Sequence, residues 1–323
     1  MSEITKNRIL GCLKGLAVGD AIGKQTETLA FEQIKEWYPN GINGFQGEIG
    51  TIMPRYKNRH YDWKFGETTD DTEQTIAVAK AIIEEGKVSH SKIGEKLMLC
   101  KKSNRPTLHL GKFQQFGDVN RVVYDGDGCG AAMRVAPIGI IYSSDKIHEI
   151  VSAVFESCIP THGGQLAICA AASIAGAVSA AIDGKSTDEI LKIAVNASIE
   201  AQKYRNPTGN YKYNEILINM YEDILQQNEI DINYLNDKYF PKTTINIVPI
   251  SIVLALITKS AEKSTLLAAN LGGDSDSVAS MSSAIAGAIS PDTINAQWYE
   301  NVQAVNGNDL IDLADKLYLF RNR

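Results

Sequence analysis

Apolar residues recur every three to four positions along most of this chain, and strand-like alternation is scarce. That period predicts helices almost throughout. The stripe Ile9, Leu10, Leu13, Leu16 and Ala17 predicts a helix over Arg8–Ala21. Further helices are predicted at Thr75–Glu85, stopped by Gly86, and at Ser91–Lys101, Lys146–Ser157, Gln165–Ile182, Thr187–Gln202 and Asn214–Gln227. The pattern continues with Val248–Thr258, Ser264–Leu271, Ser277–Ile289 and Asp309–Phe320. Nothing in the order suggests a βαβ repeat, so the expected class is all-α.

Three stretches are made of unusually small residues. Gly11, Gly15 and Gly19 stand at four-residue spacing on the first helix, and Ala167–Ala181 and Ala279–Ala288 are mostly Ala, Ser, Gly and Ile. Side chains this small allow close helix crossings, so central burial is expected for both Ala-rich helices. Pro39–Gly66 and Ser103–Pro137 read as long irregular stretches, and Lys203–Lys212 as a polar turn. No segment is rich enough in Pro or Ser to divide the chain, so residues 1–323 are expected to form one domain.

Composition narrows the function classes. Apolar residues make up 44% of the 323 residues and charged residues 22%, a globular balance. A net charge of −6 argues against a nucleic-acid partner, because phosphate contacts want a basic face. The five cysteines show no CxxC spacing, which reads as reduced thiols and a cytoplasmic setting. The opening MSEITKNRILGCLKG does not read as a secretory signal. The apolar run Ala167–Ile182 is shorter than the roughly 20 residues of a bilayer span, so no membrane segment is expected.

Chemistry concentrates in four places. Thr69-Asp70-Asp71-Thr72-Glu73 could be a simple helix start, with Asp70 and Glu73 at capping-box spacing. Gly272-Gly273-Asp274-Ser275-Asp276-Ser277 carries more carboxylate and hydroxyl oxygen than a cap needs, which suits hard cations such as Mg²⁺, Mn²⁺ or Ca²⁺. An EF-hand is excluded, because its later Gly and terminal Glu are missing. Gly126-Asp127-Gly128-Cys129-Gly130 is a glycine-rich turn able to offer backbone amides to phosphate. Thr161-His162 precedes a buried-type helix, and Glu27 is an outlying fifth carboxylate.

Together these elements resemble the ADP-ribosylglycohydrolase family, in the family's order and across nearly the whole chain. The resemblance runs from Gly15-Leu16-Ala17-Val18-Gly19-Asp20-Ala21-Ile22-Gly23 and Glu27 through Thr69-Asp70-Asp71-Thr72 and Gly130-Ala131-Ala132-Met133-Arg134 to Thr161-His162 and Gly272–Ser277. It implies a single compact orthogonal multi-helix bundle with a dimetal cleft holding two Mg²⁺, or Mn²⁺. By the same resemblance Thr69, Asp70 and Asp71 are ligands from one side, and Asp274, Asp276 and Ser277 from the other. Glu27 is implied as a mobile acidic ligand or gate, and Glu27, Asp70, Asp71 and Asp276 form the implied catalytic set. Gly126, Asp127, Gly128, Cys129, Gly130, Met133 and His162 are implied to line the substrate cleft.

The implied reaction is hydrolysis of the ribosyl bond of an ADP-ribosylated protein side chain or small acceptor. Such cleavage passes through an oxocarbenium-like state that nearby carboxylates and metal ions favour. Three positions depart from the family pattern. Ser277 replaces a Thr and keeps its hydroxyl, while Cys129 replaces an Asn with a poorer hydrogen-bonding group. Asp127 would repel a pyrophosphate unless its side chain turns away to cap a local turn. The alternatives are a free ribosylated metabolite as substrate, or a non-catalytic ADP-ribose-binding relative.

Overall fold

Helices supply the regular structure of the described residues, apart from one isolated bridge between Ile52 and Lys64. The computed structural model describes residues 3–54, 63–102, 122–206, 212–227 and 229–321. In chain order the helices are α1 (Glu3–Gly23), α2 (Phe31–Trp37), α3 (Asp70–Glu85), α4 (His90–Met98), α5 (Gly130–Met133) and α6 (Ala136–Ile141). Next come α7 (Ile147–Cys158), α8 (Gln165–Ile182), α9 (Thr187–Ala201), α10 (Tyr213–Leu225) and α11 (Ile232–Tyr239). The last five are α12 (Thr244–Thr258), α13 (Ala261–Leu271), α14 (Ser275–Ile289), α15 (Ala296–Asn306) and α16 (Leu310–Arg321). The all-α expectation holds.

The most extensive helix pair is α1 with α14, and its cause is the glycine spacing on α1. A Cβ added at Gly11, Gly15, Gly19 or Gly23 would collide with the backbone oxygen of Gly287, Ser283, Ala279 or Ser275 respectively. One register climbs as the other descends, so the helices run antiparallel with backbones in direct contact. Only residues without a side chain permit this approach. Ser283 Oγ folds back onto the Ala279 carbonyl at 2.6 Å and meets Thr265 Oγ1 at 2.5 Å, which satisfies polar atoms inside the seam.

The Ala-rich α8 is the other central element. Every residue from Leu166 to Ile182 is buried. By length and composition this 18-residue helix could cross a bilayer, whereas its apolar run Ala167–Ile182 read as too short in the sequence. Here 94% of it is buried against neighbouring helices, so its apolar surface is used in the core.

Most predicted helices lie within a few residues of the observed ones, and the differences have identifiable causes. Helix α12 starts a turn earlier than predicted and keeps Pro249 inside it. Its first turn is held from outside, because Thr244 Oγ1 donates to the Asp127 carbonyl at 2.5 Å. Helices α2, α5, α6, α11 and α15 were not predicted. The first four span eight residues or fewer, and α15 buries only Val302, so neither length nor a stripe marks them. The irregular reading of Pro39–Gly66 and Lys203–Lys212 falls partly on residues 55–62 and 207–211, outside the described residues. For Ser103–Pro137, residues 103–121 lie outside them too, and the remainder contains α5 and the start of α6.

Candidate active site

The N-terminus of α3 is fixed by a carboxylate from another helix. Asp20 of α1, fully buried, accepts from the Thr69 amide at 2.9 Å, the Thr72 amide at 3.1 Å and Thr72 Oγ1 at 2.5 Å. An anion here satisfies orphan helix amides and the positive end of the helix dipole together. Thr69 caps locally by accepting from the Asp71 amide at 3.2 Å. The capping-box expectation for Asp70 and Glu73 is corrected, since Glu73 accepts instead from the Lys101 and Lys102 amides at 2.8 Å. With capping already supplied, Asp70 and Asp71 face the cleft.

The second acidic loop arrives from α13 through two glycines at positive φ, Gly272 at 76° and Gly273 at 64°. Gly273 also has no room for a side chain against the Pro241 carbonyl. Backbone bonds tie the loop to the segment carrying Glu27: the Thr28 amide donates to Gly273 O at 2.7 Å, and the Gly273 amide to Leu29 O at 2.9 Å. Thr28 itself sits at φ 68°, an uncommon conformation for a non-glycine residue. Asp274 occupies the N-cap of α14 without capping it, and accepts instead from Cys129 Sγ at 3.0 Å. Carboxylate oxygen in excess of capping, expected from the sequence, is therefore present. Ser277 Oγ donates to Asp71 Oδ2 at 3.4 Å and joins the two loops.

Electrostatics at this junction is unfavourable to full ionisation. Burial pushes the Asp70 carboxyl up to about 6, with Glu27 and Asp20 adding to the rise and Lys24 opposing it. Burial, followed by Asp20, Asp70 and Asp274, holds Asp71 well above the usual carboxylate range. Asp276 is raised well above it by burial and then Glu27, and Asp274 is raised mainly by burial. Asp71 Oδ1 is buried without a hydrogen-bond partner. Hard oxygen donors, an orphaned carboxylate oxygen and mutual repulsion make a donor set suited to divalent cations. Among the described residues, no three Asp, Glu, His or Cys side chains close on one point as a finished cation cage.

One wall is built from the glycine-rich loop and the turn before α8. The Gly163 amide donates to Asp125 O at 2.7 Å and the Gly164 amide to Gly126 O at 3.2 Å. His162 packs over Gly128 and Gly130, where a Cβ would meet its ring. The buried Arg134 braces this wall: it donates to Gln74 Oε1 at 2.9 Å, Ser157 O at 3.0 Å and Thr161 Oγ1 at 2.7 Å. Gln74 in turn donates to Asp70 Oδ2 at 3.2 Å. Burial first, and Arg134 second, push His162 down to about 3, so the imidazole is neutral in the working range.

Asp127 is the exception among the predicted cleft residues. Its carboxylate turns out of the cleft and accepts from the Leu166 and Ala167 amides at 3.1 and 3.4 Å, at the start of α8. It caps that helix, and no anion–anion clash with a pyrophosphate arises. Replacing it with alanine should cost about 1 kcal/mol of stability by loss of a cap, while KM for substrate stays unchanged. Denaturant unfolding and steady-state kinetics check this together, and a large KM change with unchanged stability would contradict it.

Glu27, Asp70, Asp71, Gly126, Gly128, Cys129, Gly130, Met133, His162, Asp274, Asp276 and Ser277 line a single cleft of about 960 Å³. Thr69 lies fully buried at the base of α3 and does not line it. Sequence reasoning did not single out Gln74, Phe240 or Lys242, which also line the cleft, nor Lys24 beside it, and it named Arg134 only as the end of the Gly130–Arg134 motif. Of these only Arg134 carried a signal, as a charged residue inside a run of small and apolar ones. A second cavity, about 1100 Å³, lies on the other face of α3 and contains none of the predicted residues. Its charges are partly paired already, Lys96 with Glu84 at 2.7 Å, and the cleft with the carboxylates is the site of chemical interest.

Comparison with known proteins agrees with the geometry. A model of the ADP-ribosylglycohydrolase family matches residues 1–323. The chain belongs to that family. An ADP-ribosyl glycohydrolase of this kind hydrolyses linkages to ADP-ribose. The chain is 31% identical to an uncharacterized protein of Archaeoglobus fulgidus, over 97% of this chain and 96% of that one. It is 22% identical to the ADP-ribosylarginine hydrolase Tri1 of Pseudomonas putida, over 93% of this chain and 75% of that protein. A solved structure, an ADP-ribosylglycohydrolase-related protein complex, shares the fold with a TM-score of 0.70 at 20% identity, covering 99% of this chain and 100% of that one.

Proposed function

We propose that this glycohydrolase is Mg²⁺-dependent and releases ADP-ribose from a modified protein side chain, arginine foremost. The observation that carries the metal reading is the buried, unpartnered Asp71 Oδ1 in a cleft shared with Asp70, Asp274 and Asp276. The arginine linkage is supported by the name of the Pseudomonas relative. Small ADP-ribosylated acceptors remain the alternative substrate class. The free thiols of Cys12, Cys100, Cys129, Cys158 and Cys169 suit a reducing, cytoplasmic setting.

Asp70, Asp71, Asp274, Asp276 and Ser277, with Thr69 beneath them, would hold two divalent ions, which when bound supply ribose-hydroxyl coordination and polarise water. The chain's own groups account for the remaining work. The carboxylates stabilise positive charge as it builds toward the oxocarbenium-like state. Asp70, largely buried and lining the cleft, is the carboxylate assigned to take the proton of the attacking water. Lys242 is the one Lys or Arg among the described cleft-lining residues, and with the Gly126 and Gly128 backbone it provides positive charge for the diphosphate. Neutral His162, braced at 2.7 Å by Thr161 Oγ1, keeps that wall rigid without adding charge.

Purified protein offered arginine-linked and serine-linked ADP-ribosyl proteins, poly(ADP-ribose) and O-acetyl-ADP-ribose should release ADP-ribose from the arginine-linked substrate. Release should require Mg²⁺ and stop on chelation. Full turnover by chelated protein would sink the metal reading, and cleavage of O-acetyl-ADP-ribose alone would favour the small-acceptor class.

A further inference from the structure

The floor of the acidic cluster contains a cation of its own. Lys24, in the turn directly after α1, is fully buried. Its ammonium ion-pairs with Glu27 and lies 3.8 Å from Asp276 Oδ2. The same Nζ sits 4.6 Å from the centre of the buried Trp63 ring, a cation–π contact that holds it in place. Asp71 and Asp274 are engaged elsewhere, by Ser277 and Cys129 respectively. The cluster therefore has two unlike sides. One already faces a fixed positive charge, and the other contains the unpartnered Asp71 Oδ1.

We propose that Lys24 is a built-in counter-cation on the Glu27–Asp276 side of the cleft, and that it makes the two divalent-ion places unequal. The inference rests on the dinuclear reading above. An ammonium beside a carboxylate occupies its lone pairs and repels a second cation over the same few ångströms. The first divalent ion therefore fills the Asp71–Asp274 side. The second has to displace or share Glu27 and Asp276 with Lys24, and binds more weakly. With Asp20 behind them, Glu27, Asp70, Asp71, Asp274 and Asp276 leave a negative remainder after two divalent ions, and Lys24 reduces it. Filling is sequential, and the singly loaded protein is a populated state.

The test uses Mn²⁺ alone as probe, counted by the electron paramagnetic resonance signal of the free ion and by titration calorimetry, on the full chain. Wild-type protein should bind one ion tightly and a second on the order of tenfold or more weaker. Lys24→Gln should bring the two affinities together, and Lys24→Arg, which keeps the charge, should preserve the gap. A larger Mn²⁺-induced rise in melting temperature is expected for Lys24→Gln than for wild type, because its empty cluster is more repulsive. Two equal affinities in the wild type would overturn the proposal whether or not the variants fold, as would a gap unchanged in Lys24→Gln. No Mn²⁺ binding by any form overturns the dinuclear reading along with it, whereas two equal ions leave that reading standing.

Discussion

Replacing Asp71 with asparagine is expected to reduce hydrolysis on the order of a hundredfold or more while making the metal-free protein more stable at pH 8. The first half follows from position: Asp71 lines the cleft, touches Ser277 at 3.4 Å and carries the unpartnered Oδ1. The second half follows from linkage. Burial and the neighbouring Asp20, Asp70 and Asp274 raise its folded value above that of the unfolded chain. Between those two values the folded protein binds more protons, so stability falls as pH rises above the ordinary carboxylate range. Asparagine carries no such penalty. The metal-free variant should out-melt metal-free wild type at pH 8, and the gap should close toward pH 4. Melting curves in chelator at the two pH values, beside turnover with Mg²⁺, check both halves. A metal-free variant less stable than wild type at pH 8 would show that Asp71 is structural and does not suffer from its neighbours.

A second large effect is expected from the smallest possible change, Gly15→Ala. Helix propensity alone predicts stabilisation by about 0.5–1 kcal/mol for Gly to Ala within a helix. The α1–α14 seam predicts the reverse, because the added methyl would collide with the Ser283 carbonyl, a backbone atom that cannot rotate away. Overpacking of a close-packed interior costs typically about 1–3 kcal/mol and more where the obstruction is rigid. The sign decides between the two. Chemical denaturation of Gly15→Ala should give a lower midpoint with an unchanged slope, and a raised midpoint would mean the helices can part without loss. Activity should fall with stability, since Asp20 and the Asp274–Asp276 loop are carried on these two helices or at their ends.

Much of this architecture could be read from the chain, and the parts that could not share a physical cause. Long stripes such as Gln165–Ile182 were legible to the residue, because every position of that helix after Gln165 is set by burial. The Gly11-Gly15-Gly19 spacing announced a close crossing, but its partner could not be named, since the matching residues Gly287, Ser283 and Ala279 lie near the other end of the chain. The two acidic loops were recognisable as oxygen-rich, and their order matched a family. What holds them was not recognisable. Asp20 caps α3 from another helix, and Glu73, read as a local cap, serves the amides of Lys101 and Lys102. Such long-range bonds leave no spacing in the sequence. Asp127 is the instructive middle case: its residue type allowed both a cleft carboxylate and a cap, and only the position of α8 decides for the cap.

The seam between α1 and α14 also limits how the gene can drift. Every residue other than glycine carries a Cβ, so no missense change at the codons for Gly11, Gly15, Gly19 or Gly23 is conservative. These positions form an unusually dense mutational target within one helix. The cleft-lining side chains of Phe240 and Lys242 lie outside that seam. Substitutions at such side chains leave the spacing between the two acidic loops untouched, whereas substitutions in the seam do not.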